Sequence, residues 1–112
     1  MKLKLIAVTL FFALNVVAEE SHFDLGKKVF ESNCVTCHGQ QGDGRGPASV
    51  AISGAKPRDF TTGKFKYGST DDEIFKTITN GVPGTAMPPW NSLSVLERKA
   101  VISYLKKFSA KN

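Results

Sequence analysis

Cys34-Val35-Thr36-Cys37-His38 is the segment of this 112-residue chain most able to do chemistry. Two thiols three positions apart, followed at once by an imidazole, form the C-x-x-C-H pattern of c-type haem attachment. Thiols at that spacing reach the two vinyl groups on one edge of a porphyrin and form thioethers, and the adjacent His38 then turns its imidazole to the iron from the proximal side. Three other uses of these residues compete. A disulfide between Cys34 and Cys37 would close a tiny loop and stabilise little. A thioredoxin-like redox pair needs a βαβ context, which is missing here. A tetrahedral zinc site needs four ligands, and the supply is two Cys, His38 and at most His22. Haem attachment outweighs all three. The following run, Gly39-Gln40-Gln41-Gly42-Asp43-Gly44-Arg45-Gly46-Pro47, fits neither G-x-x-x-x-G-K-[ST] nor G-x-G-x-x-G. Its glycines are read as letting the backbone fold tightly against the haem.

Three helices must hold these residues in place. The first is expected from Asp24 to Ser32, with Asp24 as N-cap and Phe23, Val29 and Phe30 as apolar contacts. The second follows Thr70, where Thr70-Asp71-Asp72-Glu73 reads as a capping box, Ile74, Phe75 and Ile78 give one apolar face, and Gly81 is the stop. The third follows Ser94, where Ser94-Val95-Leu96-Glu97 repeats the capping pattern. Val101, Tyr104, Leu105 and Phe108 form its stripe, and Lys106 and Lys107 suit the negative end of its dipole. The stretch between the first two helices has no strong period. Lys64-Phe65-Lys66-Tyr67 alternates without a partner strand and is read as loop. Structureless loops longer than about 12–15 residues are uncommon in compact domains. They make sense when wrapped around something large, flat and apolar.

Composition sets the outer limits. With 41% hydrophobic and 22% charged residues the chain is ordinary globular material. A formal charge of +5 is no nucleic-acid footprint, and two cysteines exclude a multi-disulfide miniprotein. The start is a separate segment. A basic head, Met1 to Lys4, precedes an apolar run from Leu5 to Val17, then Val16-Val17-Ala18 and the abrupt Glu19-Glu20. Residues 1–18 therefore read as a secretory signal peptide and 19–112 as one domain. The apolar run is short against the ~20 residues of a membrane span, and a retained anchor is the competing reading. Losing Lys2 and Lys4 would take the formal charge from +5 to +3. Export would place both thiols in an oxidising compartment. So small a domain is marginally stable alone and gains from a large cofactor.

As a whole, residues 20–110 resemble a class I cytochrome c of the small, monohaem, bacterial periplasmic type. The resemblance rests on an N-terminal helix, C-x-x-C-H, a Gly-rich loop ending in Gly46-Pro47, a middle helix, a Met87-Pro88 loop and a C-terminal helix. It implies an all-α fold of three to four short helices, with long loops wrapped around one covalently bound haem c. Thioethers would form at Cys34 and Cys37, and His38 and Met87 would be the axial iron ligands. Met87 is the only methionine after the signal. A residue before proline is pushed toward extended backbone, so Met87 is expected on a loop; the alternative is a core methionine filling a gap. Met/His ligation raises the reduction potential. His22 is the rival ligand and is read as a solvated terminal residue. The resemblance further implies that the Pro47 carbonyl accepts a hydrogen bond from His38 Nδ1–H, and that Gly26 and Phe30 meet the last helix near Val101 and Tyr104. Arg58, Tyr67 and Trp90 become candidates for the propionates. The tandem Pro88-Pro89 and the short middle depart from the mitochondrial pattern.

The function this implies is that of an exported, periplasmic one-electron carrier cycling Fe(III)/Fe(II), and not an enzyme, because no nucleophile or acid–base pair stands out. Its partners would be a redox donor and acceptor, such as a respiratory complex, terminal oxidase or periplasmic reductase or dehydrogenase. No nucleic acid is implied, nor a membrane span once the signal is gone. The alternatives are a haem subunit of a larger periplasmic oxidoreductase and a haem-based gas sensor. Lys56, Lys64 and Lys66, with Lys27 and Lys28, would frame the haem edge for an acidic partner. The competing docking face is apolar, around Pro88, Pro89 and Trp90.

Overall fold

Residues 22–110 are described by a computed structural model of the chain. The signal peptide expected over residues 1–18 lies outside the described residues. Helix α1 covers 22–33 and runs through a turn at Cys34 into the one-turn helix α2, Val35–His38. The Cys34 amide donates to the Phe30 carbonyl at 2.9 Å and the His38 amide to the Cys34 carbonyl at 2.8 Å. C-x-x-C-H is thus the continuation of a helix that is anchored in the core. Asp24, expected as the N-cap, lies inside α1, which already runs at His22.

Helix α3, Asp71–Asn80, and helix α4, Val95–Ser109, begin as their capping boxes require. The Thr70 hydroxyl accepts from the Glu73 amide at 3.2 Å, and the Ser94 hydroxyl from the Glu97 amide at 3.1 Å. Each glutamate reaches back to the amide of its cap residue. Two of the orphan N–H groups at each helix start are satisfied in this way. The region between α2 and α3 contains only two short 3₁₀ turns, Pro47–Ala51 and Phe60–Thr62, and Lys64–Tyr67 is loop. The fold is all-α, without strands among the described residues. Among those residues no helix is long and apolar enough to cross a membrane.

The core lies where α1 crosses α4. Gly26 is buried against the Ala100 backbone; a Cβ there would come 2.8 Å from the Ala100 carbonyl carbon and 3.0 Å from Tyr104 Cβ. One turn on, Phe30 is fully buried, its ring 5.3 Å from Tyr104 and 5.2 Å from Phe108 between centroids. Phe60 continues the aromatic row, 6.4 Å from Phe108. Ile74 and Ile78 bring α3 into the same cluster with Val101 and Leu105 of α4. Arg98, also buried, ties α4 to α3: its guanidinium donates to Thr79 Oγ1 at 2.6 Å and lies 4.8 Å from the centre of the Phe75 ring. Placing α1 firmly on α4 fixes the position of everything at the α1 C-terminus, including both thiols and the imidazole.

Candidate functional site

A cavity of about 480 Å³ opens beside α2. That is the size range of cofactor pockets. Cys34, Cys37 and His38 line one part of it, Ile74, Ile78, Val101 and Leu105 supply apolar wall, and Met87 enters from the loop after α3. The cysteines are free thiols. Burial pushes the Cys34 thiol up to about 11, and the nearby Cys37 adds to the effect. A redox-active cysteine works as thiolate and sits where its pKa is depressed, so this environment disfavours the thioredoxin use. Among the described residues no three His, Cys, Asp or Glu side chains gather to hold a metal ion.

His38 is held as a neutral ligand would be. Burial holds its imidazole below the usual histidine range, partly offset by a hydrogen bond to a backbone carbonyl. That bond runs from Nδ1 to the Arg58 carbonyl at 3.1 Å. A carbonyl only accepts, so Nδ1 carries the proton and Nε2 keeps its lone pair. The ring also stacks on Phe60, centroids 4.5 Å apart and planes 21° apart. The acceptor is a correction. The Pro47 carbonyl was expected, but Gly46-Pro47 packs against the backbone of α2: the Gly46 amide donates to the Cys37 carbonyl at 3.0 Å, and a Cβ on Gly46 would strike the Val35 and Thr36 carbonyls. Pro47 is exposed at the start of a 3₁₀ turn and does not line the cavity. The glycine run as a whole departs from expectation in the same way. Gly42 packs on the Phe108 ring and its carbonyl accepts from the Phe60 amide at 2.7 Å, so the run wraps behind α2 and stays out of the cavity wall.

Met87 sits on a loop, as its proline neighbour requires. Val82-Pro83-Gly84-Thr85 makes a turn closed by the Thr85 amide on the Val82 carbonyl at 3.1 Å, with Gly84 at φ +80°. Proline second and a left-handed glycine third are what a type II turn demands. The chain then returns: the Val82 amide donates to the Met87 carbonyl at 3.1 Å, and the Trp90 amide to the Ile78 carbonyl at 2.9 Å. Gly81, at φ +65°, makes room for this return, since a Cβ would come 2.6 Å from the Pro88 and Pro89 backbone. The Pro83-Gly84 dipeptide is a turn signal in the sequence, whereas the stacking of Phe60 on His38 and the use of the Arg58 carbonyl leave no such local signal.

Arg58, Tyr67 and Trp90 all line the cavity, together with Lys56 and Lys66. The basic margin complements carboxylates. Lys56 is engaged already, its ammonium donating to the Ser49 and Ile52 carbonyls; Lys64, Lys66, Lys27 and Lys28 are exposed. His22 is exposed on α1 and does not line the cavity. The residues present therefore fit a c-type haem: two unpaired thiols at the right spacing, a neutral imidazole with Nε2 free, a thioether from another segment, apolar walls and a basic edge.

Comparison with known proteins gives the same picture. The family model for cytochrome c oxidase, cbb3-type, subunit III, matches residues 22–105. A cbb3-type cytochrome c oxidase subunit FixP of Azorhizobium caulinodans is 38% identical over 81 residues, which take in 71% of this chain and 25% of that one. Cytochrome c55X of Stutzerimonas stutzeri is 41% identical over 64 residues, 54% of this chain and 44% of that one. Among solved structures, a chain of a Kuenenia stuttgartiensis reducing HAO-like protein complex superposes with a TM-score of 0.72 at 38% identity, over 75% of this chain and 41% of that one. The chain spans between a fifth and a third of the length of the oxidase subunits it matches.

Proposed function

We propose that this chain, which belongs to the cytochrome c oxidase, cbb3-type, subunit III family, is an exported one-electron carrier that serves a larger redox complex. Its cofactor is one covalently bound haem c with its iron. When bound, that group supplies an Fe(III)/Fe(II) couple, which takes up one electron from a donor and gives it to an acceptor. The chain does the rest. Cys34 and Cys37 fix the group through thioethers on one edge. His38 donates from Nε2, and its Nδ1–H bond to the Arg58 carbonyl holds the tautomer and strengthens the donor. Met87 would supply a thioether ligand to the iron, which would favour the reduced state and raise the potential. Arg58, Tyr67 and Trp90, which line the same cavity, are the candidates to hold the propionates. The walls of α3 and α4 keep water out, so little rearranges when the charge changes. Residues 1–18 act as the export signal and 19–112 as the domain released to the periplasm. The chain carries electrons and does not itself catalyse bond chemistry.

A single observation carries this reading: Cys34, Cys37, His38 and Met87 line one apolar cavity although Met87 lies far along the chain from the others. The names of the relatives, oxidase subunits and a member of a redox complex, favour an oxidoreductase partner. Two measurements separate the readings. The reduced holoprotein is expected to be inert toward carbon monoxide, whereas rapid, concentration-independent binding would indicate a gas sensor. Electron transfer to its acceptor is expected to slow as salt rises to 0.15 M, where the screening length is about 8 Å, and to slow on charge reversal at Lys64 and Lys66. A rate indifferent to both would move the docking face to Pro88, Pro89 and Trp90.

A further inference from the structure

We propose that Thr85 is a positioning residue: its hydroxyl is the brace that holds the Met87 loop closed and so sets how firmly Met87 stays in place. The inference rests on the reading of Met87 as an axial ligand and adds what controls it. Thr85 Oγ1 donates to the Val82 carbonyl at 2.7 Å and accepts from the Met87 amide at 3.2 Å. The single hydroxyl proton goes to Val82, and a lone pair remains for Met87 N–H, so the two bonds are compatible. One side chain thereby joins the first and last residues of the loop, and it does so from within the cavity wall.

The rest of the loop is poor in other ties. Pro83 and Pro88 have no amide to give, and the backbone bonds across it are Thr85 N to Val82 O and Val82 N to Met87 O, both at 3.1 Å. The Val82 carbonyl accepts from both the amide and the hydroxyl of Thr85. Loss of the hydroxyl leaves the Met87 amide without the partner it has here. The loop then opens more readily, and Met87 yields its position to an external ligand more often. A hydrogen bond of ordinary net strength corresponds to roughly a two- to tenfold change in that equilibrium.

The test uses the ferric holoprotein and imidazole as the competing ligand, followed by loss of the near-infrared sulfur-to-iron band. Thr85→Val, close in shape but without the hydroxyl, is expected to bind imidazole roughly two- to tenfold more tightly than wild type, in line with one lost hydrogen bond. Thr85→Ser, which keeps the hydroxyl, is expected to stay within about twofold, below the smallest effect of losing that bond. Thr85→Ala, expected to follow Thr85→Val, serves where the valine variant fails to fold. Far-ultraviolet circular dichroism of each variant should match wild type, which separates loop opening from general unfolding. Equal imidazole affinity in Thr85→Val and wild type, or a serine variant that binds imidazole as tightly as the valine one, overturns the brace. Met87→Ala distinguishes the two levels. If the band survives in Met87→Ala, the ligand assignment fails and the brace with it; if the band disappears there while Thr85→Val is unchanged, only the brace fails.

Discussion

Gly26→Ala sets two familiar effects against each other, and the structure decides between them. In the interior of an exposed helix, replacing Gly by Ala gains about 0.8–1 kcal/mol of helix propensity. Gly26, however, is buried at the crossing of α1 and α4. The new methyl would sit 2.8 Å from the Ala100 carbonyl carbon and closer still to its oxygen, with Tyr104 Cβ at 3.0 Å. The obstacle is helix backbone, which cannot swing aside as a flexible side chain would. Overpacking a core typically costs about 1–3 kcal/mol, and a clash with backbone belongs at the upper end. The net expectation is a loss of about 1–2 kcal/mol, the overpacking cost less the propensity gain. For a domain of this size that lowers Tm by about 4–16 °C. Because α1 leads directly into C-x-x-C-H, the yield of haem-loaded protein should fall as well. Thermal and denaturant unfolding of the holoprotein, with Gly54→Ala as control, is the assay. Gly54 has open space around it but φ +84°, so its variant should lose only the backbone cost, about 1–2 kcal/mol, with haem loading unaffected. A Gly26→Ala protein as stable as wild type, or more stable, would refute the close crossing.

Other substitutions test other parts of the frame. Phe30→Ala removes a fully buried ring and should cost about 3–5 kcal/mol in denaturant unfolding, enough to leave little folded protein. Ser94→Ala breaks the α4 capping box and should cost about 1 kcal/mol, which Ser94→Asp should largely restore. Thr79→Val leaves the Arg98 guanidinium without its hydroxyl partner and should cost about 1–3 kcal/mol.

What the sequence discloses about this chain is mostly local. Thr70 with Glu73 and Ser94 with Glu97 announce their helices because a capping box is completed within four residues. Met87 is placed on a loop because Pro88 acts on its immediate neighbour. That Gly26 and Phe30 share one helix face is local too, whereas their meeting with α4 is implied by the resemblance alone. The features that escaped it depend on backbone carbonyls and on distant packing. Pro47 and Arg58 each carry a carbonyl in an aperiodic region, and nothing in their side chains says which one meets His38; the decision falls to Gly46, which fits against α2 and takes Pro47 away with it. The two 3₁₀ turns are too short to leave a periodic signature. The exposed-looking Lys56 is tied to the Ser49 and Ile52 carbonyls, a pairing across loop residues that composition does not reveal. Thr85 combined a readable turn, Pro83-Gly84, with a hydroxyl contact that only the folded loop displays.

The central claim is that Cys34, Cys37, His38 and Met87 together hold one electron-carrying haem. The most direct measurement is the optical spectrum of the exported protein, oxidised and then reduced, with Met87→Ala recorded beside it. The expected result is a low-spin c-type spectrum in both states, with a near-infrared sulfur-to-iron band that is present when oxidised, lost on reduction and missing from Met87→Ala. A high-spin spectrum from the wild type, or a sulfur band that survives in Met87→Ala, would contradict it.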